Sequence, residues 1–260
     1  MRITIIGSGN VATHMAAAFK NAGHSIMQVY SRDMQHAAML AYHVKAEPVD
    51  TLNAISPDTD LFLISVKDDV IGDLAQKLIK HGKLIAHTSG STSLDELLRY
   101  TPNAGVFYPL QTFSKTKELD FRTVPLCIEG ATEDLTKRLE ELARTVSNNV
   151  CRVDSLQRKI LHMAAVFACN FPNVLYYAAG ELLREHNLDF NLLRPLILET
   201  AEKVKNHLPK DVQTGPAVRN DEKTMSAHLQ LLAQKPELQQ VYELLSQLII
   251  KMDKGGTAGA

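Results

Sequence analysis

The chain has 260 residues, 45% of them hydrophobic, which is enough to fill the cores of two ordinary domains, and no apolar stretch reaches the ~18 residues that a membrane span needs. Its net charge of -1 is evenly spread, with 16 basic and 17 acidic residues through Val153 and 12 of each after it, so neither nucleic acid nor an anionic membrane is an expected partner. Cys127, Cys151 and Cys169 show no CxxC spacing and cannot all pair within one chain, so reduced thiols and no metal site are expected, and since the first apolar run is only a strand long, no signal peptide and a cytoplasmic location are expected too.

The first elements come in a telling order. Ile3-Thr4-Ile5-Ile6 reads as a strand and Gly7-Ser8-Gly9-Asn10-Val11-Ala12 as a glycine turn. A helix then runs from about Asn10 to Asn21, and a second strand ends at Tyr30-Ser31-Arg32. In such a turn the first glycine leaves the strand tightly and the second lets a pyrophosphate approach backbone N–H groups, while Ala12 is small enough for close helix packing. The helix aims its positive end at the phosphates. An acid at the end of the second strand would hold an NAD ribose hydroxyl. Here Ser31 and Arg32 occupy that place, with Asp33 one residue late, and the expected cofactor is NADP(H).

A helix near 34–42 and a short strand near 43–46 follow. Leu61 to Val66 is a continuous apolar run, read as a central strand covered on both faces. Its end places Ser65, Val66 and Lys67 beside the cofactor, although Lys67-Asp68-Asp69 also reads as a polar turn whose acids cap the next helix. The fifth strand, Leu84 to His87, runs into Thr88-Ser89-Gly90-Ser91-Thr92-Ser93. His87, Thr88 and Ser89 are site candidates, and Ser93 with Glu96 fits a capping box. A sixth strand starting at Ala104 ends at Pro109 and brings Tyr108 and Gln111 to the site edge as substrate-binding candidates. Strand 125–129, helix 132–146 and strand 149–153 complete the alternation.

From Asp154 the pattern is helical. Asp154-Ser155-Leu156-Gln157 begins a long apolar helix towards Glu185, with Pro172 expected to bend it; further helices span about 192–206, 222–233 and 236–250. Lys159, His162, Cys169, Asn170 and Asn173 fall within an arc of roughly 100° on the first of these helices, among apolar neighbours. Such polar groups either bond a neighbouring backbone or act on a ligand. In the second case Lys159 or His162 handles a proton, histidine being suited to it near neutral pH, while Asn170 and Asn173 orient the substrate. Gly215-Pro216 marks a turn, Asp221 can cap the helix behind it, and Arg219 could grip a substrate carboxylate; His228 is a weaker candidate.

The organisation expected is α/β: a Rossmann-type doubly wound, mostly parallel sheet over 1–153, a smaller all-α domain over 154–254, and a disordered tail over 255–260. The strings Gly7 to Ala12, His87 to Ser91, Tyr108 to Phe113, and Thr214-Gly215-Pro216-Ala217 with Arg219 and Asp221 together resemble the Rossmann-like plus DUF2520 family. That family is related to pyrroline-5-carboxylate reductase, 6-phosphogluconate and β-hydroxyacid dehydrogenases, and F420-dependent NADP oxidoreductases. The resemblance implies an NADP-binding domain, a helical domain that usually builds a homodimer, and a substrate site in the cleft between domains. The expected function is hydride transfer between NADP(H) and a small polar carbonyl, imine or alcohol. The competing reading is an NADP(H)-binding sensor or scaffold without catalysis.

Overall fold

The computed structural model describes residues 1–114 and 117–255. Their contacts fall into two units, Met1–Asn170 and Phe171 onward. The first unit contains, in chain order, β1 (Arg2–Ile6), α1 (Asn10–Asn21), β2 (Ser25–Tyr30), α2 (Met34–Val44), β3 (Glu47–Val49), β4 (Leu61–Ile64) and α3 (Ile71–Leu78). It continues with β5 (Leu84–His87), α4 (Asp95–Leu98), β6 (Ala104–Pro109), β7 (Leu126–Gly130), α5 (Glu133–Val146), β8 (Val150–Arg152) and α6 (Ser155–Ala165).

The strands form one eight-stranded sheet in the order β3-β2-β1-β4-β5-β6-β7-β8. Only the β6–β7 pair is antiparallel. This is the Rossmann-type doubly wound order with two strands added at one edge. The central strands are apolar on both faces because both are covered. Ile3, Ile5, Leu61 and Leu63 pack with Met15, Phe19 and Leu139 on one side, and Ile6, Phe62, Ile64 and Ile85 with Ile71, Ala75 and Leu97 on the other.

Several local expectations shift. The strand expected near 43–46 forms instead at Glu47–Val49, because burial of Leu40, Ala41 and Val44 carries α2 onward until Lys45 takes a left-handed conformation. Ser93 does not complete a capping box. The N-cap of the four-residue α4 is Leu94, and the Ser93 hydroxyl turns to Asp95, accepting from its N–H at 3.3 Å and donating to its carboxylate at 2.9 Å. Asp154 does form its box: its carboxylate accepts from the Gln157 N–H at 2.8 Å and the Gln157 side chain accepts from the Asp154 N–H at 3.0 Å.

The strands end at Arg152, close to the boundary expected at 153, yet the division of contacts comes after Asn170. The cause is a charged staple. Arg158 on α6 has no exposed surface, and its guanidinium pairs with Glu129 of β7, donates to the Thr92 carbonyl at 2.6 Å and contacts the Ser155 hydroxyl at 3.2 Å. Ser155 in turn donates to Glu129 at 2.9 Å and accepts from the Leu94 N–H at 2.9 Å. Removing one member of so buried a pair costs about 3–5 kcal/mol, so α6 is fixed to the sheet and to the loop after β5.

After α6 comes a π turn, Val166–Asn170, which ends two residues before Pro172. Proline lacks the N–H for the next helical bond and its ring crowds the carbonyl one turn back, so the helix widens there. The second unit holds α7 (Phe171–Glu185), α8 (Arg194–Asn206), α9 (Glu222–Leu231) and α10 (Pro236–Gly255), with no strand among its described residues. The tail expected to be loose from 255 lies outside the described residues, except for Gly255, the last residue of α10.

Candidate functional site

A cleft of about 910 Å³ opens at the carboxyl ends of β1, β2, β4, β5 and β6, where the strand order reverses, and every residue lining it belongs to the first unit. Its size suits a small-molecule or cofactor site, and its place is where doubly wound sheets bind ligands.

Gly7 makes the first wall. It adopts φ +126, its N–H donates to the Tyr30 carbonyl at 2.8 Å, and a Cβ there would stand 2.2 Å from the Ser65 carbonyl oxygen. Gly9 is the N-cap of α1, with no side-chain cap over the helix end and nothing within 4 Å of where its Cβ would be. The positive end of α1 therefore meets open space. Ser8, Asn10 and Val11 line the cleft, Asn10 with its amide bonded to the Phe113 carbonyl at 2.9 Å. Ala12 does not line it; it is fully buried and supports α1 against the sheet.

At the end of β2, Ser31 accepts from the Ser8 hydroxyl at 3.0 Å. Arg32 is exposed at the cleft and makes no ion pair among the described residues. Asp33 is occupied elsewhere: as N-cap of α2 its carboxylate accepts from the N–H groups of Gln35 (2.8 Å) and His36 (3.3 Å). The acid expected of a ribose-hydroxyl holder thus serves a helix, and the free group is a cation.

Ser65, Val66 and Lys67 line the next wall, with Ser65 accepting from the Thr88 hydroxyl at 3.2 Å. Neither Asp68 nor Asp69 caps a helix; Asp68 accepts from the Ser91 hydroxyl, and the N-caps nearby are Lys67 and Val70, without side-chain bonds. Thr88 and Ser89 line the cleft, but the Ser89 oxygen is committed to the N–H groups of Ser91 (3.1 Å) and Thr92 (2.9 Å). His87 is buried below the loop and does not line the cleft. Its Nδ1 accepts from the Ser89 N–H at 3.1 Å, and burial, followed by the nearby Arg158 charge, lowers its pKa to about 4. It is a neutral prop for the loop.

The far end of the cleft holds the chemically versatile pair. The Tyr108 hydroxyl lies 3.1 Å from Nδ1 of His162, with the rings edge to face. Burial first, then the neighbouring Cys127, pushes the Tyr108 phenol up to about 12, so it keeps its proton. A protonated phenol can donate to Nδ1 or accept from an Nδ1–H, and the tautomer of the ring decides which. Gly90 is pressed against both rings: a Cβ there would sit 2.8 Å from His162 and 2.9 Å from Tyr108. Gln111 lines the same region.

Of the other candidates, Lys159 is exposed and Asn170 is exposed on the π turn, and neither lines the cleft. Asn173 lies in the second unit, where it borders a shallow concavity with Tyr177 and Arg184. Arg219 is exposed in that unit too. Asp221 caps α9 as expected, accepting from the Thr224 N–H at 3.0 Å, and His228 bonds the Tyr242 hydroxyl at 2.8 Å. Sequence reasoning missed Gly90 and Arg158 as positioning residues. Gly90 sits inside a string already singled out, whereas nothing along the chain links Arg158 to Glu129. Among the described residues no three His, Cys, Asp or Glu side chains converge as a metal set, and no helix is long and apolar enough to cross a membrane.

The family described as "NADP oxidoreductase coenzyme F420-dependent" matches residues 2–89, and "Domain of unknown function (DUF2520)" matches 124–249. No curated protein matches. Among solved structures, a putative NADP oxidoreductase from Bacteroides fragilis is 44% identical over 96% of this chain and 98% of its own, with a TM-score of 0.90. A Thermotoga maritima protein is 19% identical over 97% and 99%, with a TM-score of 0.83. An imine reductase from Myxococcus stipitatus, solved with NADP+, is 16% identical over 98% and 95%, with a TM-score of 0.69. The last two likenesses are likenesses of fold.

Neutral burial of His87 makes the first unit acid-sensitive. The folded-state pKa lies below the unfolded value of 6.5, so the contribution is whole above about pH 6.5 and is lost as pH falls towards about 4. Urea unfolding of wild type should lose roughly 3 kcal/mol more across that window than His87→Gln does. Parallel pH curves for the two proteins would contradict the assignment.

Proposed function

The chain belongs to the NADP oxidoreductase family of its Bacteroides fragilis relative, and we propose that it transfers hydride between NADP(H) and a small polar carbonyl, imine or alcohol. The observation that carries this reading is that one cleft contains both the uncapped start of α1 and the Tyr108–His162 pair. The residues fit the cofactor. The space before Gly9 accepts a pyrophosphate on the first N–H groups of α1, and Arg32 and Ser31 suit a 2′-phosphate. Ser65, Val66, Lys67 and Thr88 form the wall that leads from there towards Tyr108.

When bound, the nicotinamide supplies or takes the hydride. The chain handles the proton. In the reducing direction the doubly protonated His162 ring gives its Nε2 proton to the substrate oxygen or nitrogen and keeps the one on Nδ1, and in the oxidising direction that neutral ring accepts a proton at Nε2. Tyr108 holds the ring through Nδ1 and, with its pKa near 12, orients without ionising. Gln111 supplies a neutral hydrogen-bonding group to a polar substrate. Lys159, the other acid/base candidate in the sequence, lies away from this cleft. The reading of a non-catalytic sensor gains no support from the relatives.

The helical unit suits a homodimer: its exposed Tyr177, Leu196, Leu198, Leu244 and Leu248 offer apolar surface for a second copy. The cytoplasm is the proposed compartment, in keeping with three free thiols.

Arg32→Ala should weaken NADPH binding about ten- to a hundred-fold while NADH binding changes little, since a charge-assisted contact is worth about 1.5–3 kcal/mol. Asp33→Ala, the comparison variant, should cost ~1 kcal/mol of stability through the lost cap and leave the nucleotide preference unchanged. Equal losses for both nucleotides in Arg32→Ala would remove the 2′-phosphate assignment. For the chemical step, His162→Ala should lower kcat about 10²–10⁴-fold on a substrate found by screening NADPH oxidation, with NADPH affinity retained. Full turnover in that variant would take the proton role away from His162.

A further inference from the structure

We propose that Cys127 and Cys151 form a thiol–disulfide site at the edge of the sheet, closed by small disulfides of the glutathione class and placed to be felt at Tyr108. Four observations carry it. Cys127 and Cys151 are register partners on the parallel strands β7 and β8, with their sulfurs 3.5 Å apart. β8 is the edge strand, and Cys151 is exposed while Cys127 is buried. Cys127 is also the register partner of Tyr108 across the antiparallel β6–β7 pair, and both belong to the same side of the core. Tyr108 in turn holds His162. A row of four side chains thus leads from solvent to the cleft.

The geometry permits closure. Neighbouring strands stand about 4.7–4.9 Å apart, inside the ~4.4–6.8 Å Cα range that disulfides span. The sulfurs need only approach from 3.5 Å to about 2.05 Å. The electron balance is that of ordinary exchange. The Cys151 thiolate attacks one sulfur of an oxidised glutathione, forming a mixed disulfide and releasing one glutathione thiolate. The Cys127 thiol then gives up its proton and attacks the Cys151 sulfur, releasing the second glutathione as thiolate. The protein loses two electrons and two protons, and the oxidant takes them up as two thiols. Access sets the order, because only Cys151 reaches solvent. Burial first, and then the adjacent Cys151, hold the Cys127 thiol at about 12, so the second step is the slow one and quickens as pH rises.

Closure draws the Cys127 sulfur towards β8 and removes a thiol from beside the Tyr108 ring. The consequence reaches His162 through their 3.1 Å contact.

The full-length protein incubated with oxidised glutathione at pH 8, acid-quenched, alkylated and digested without reductant tests the site by peptide mass. Wild type should yield the Cys127 and Cys151 peptides linked, two hydrogens lighter than their sum. Cys127→Ala should stop at a glutathione adduct on Cys151, and Cys151→Ser should leave Cys127 unmodified until the protein is unfolded. A persistent adduct on Cys151 in wild type with Cys127 still a free thiol, or a link from either residue to Cys169, would overturn the proposal. The connection to the cleft is read from the ring ¹⁵N signals of His162, which should shift on oxidation of wild type and stay in place in Cys127→Ala. Linked wild type with unmoved signals would refute that connection. Neither readout depends on the substrate or on nucleotide binding.

Discussion

The closeness of β1's exit to β4 is the constraint on which the cleft depends. At Gly7 the chain passes so near the Ser65 carbonyl that no side chain fits, and only a glycine adopts the required φ of +126 without strain. That turn sets Gly9 at the mouth of α1, where the first N–H groups of the helix face open space instead of a capping side chain. A partial positive charge held in this way costs no rearrangement when an anion arrives, which suits the turn to a phosphate.

The second half of the cleft is organised by a different kind of contact. His162 owes its position to three neighbours of unlike chemistry: the Tyr108 hydroxyl on its Nδ1, the bare backbone of Gly90 beneath its ring, and the Arg158 staple one turn earlier on α6. Arg158 binds the loop after β5 through Thr92 and the strand β7 through Glu129, so the loop, strand and helix cannot drift separately. The only imidazole lining the cleft among the described residues is therefore on a rigid support, as acid/base chemistry requires.

Much of the first unit was legible along the chain because its signals are local. The Gly7 to Ala12 string, the α1 boundaries and the apolar runs of β1, β4 and β5 each follow from residues close in sequence, and each forms where expected except that β4 ends at Ile64, two residues before Val66. The position of Arg32 at the end of β2 was legible for the same reason, and Asp33 beside it caps α2. The errors arose where distant packing decides. α2 outran its expected end because its last turn finds a buried neighbour, and Asp68 was drawn from capping to the Ser91 hydroxyl of another loop. The polar arc on the helix after Asp154 was drawn at a uniform 100° per residue. The π turn at Val166–Asn170 departs from that count, so the spacing that the arc assumes holds only as far as Ala165.

The account stands on the cleft being a dinucleotide site with a preference for the extra phosphate. Isothermal titration calorimetry of the purified protein with NADPH and with NADH, repeated at low and high salt, addresses this most directly. The account predicts one site per chain, tighter binding of NADPH than of NADH, and a preference that narrows as salt screens the Arg32 contact. Folded protein that takes up neither nucleotide, or that prefers NADH at every ionic strength, would contradict it.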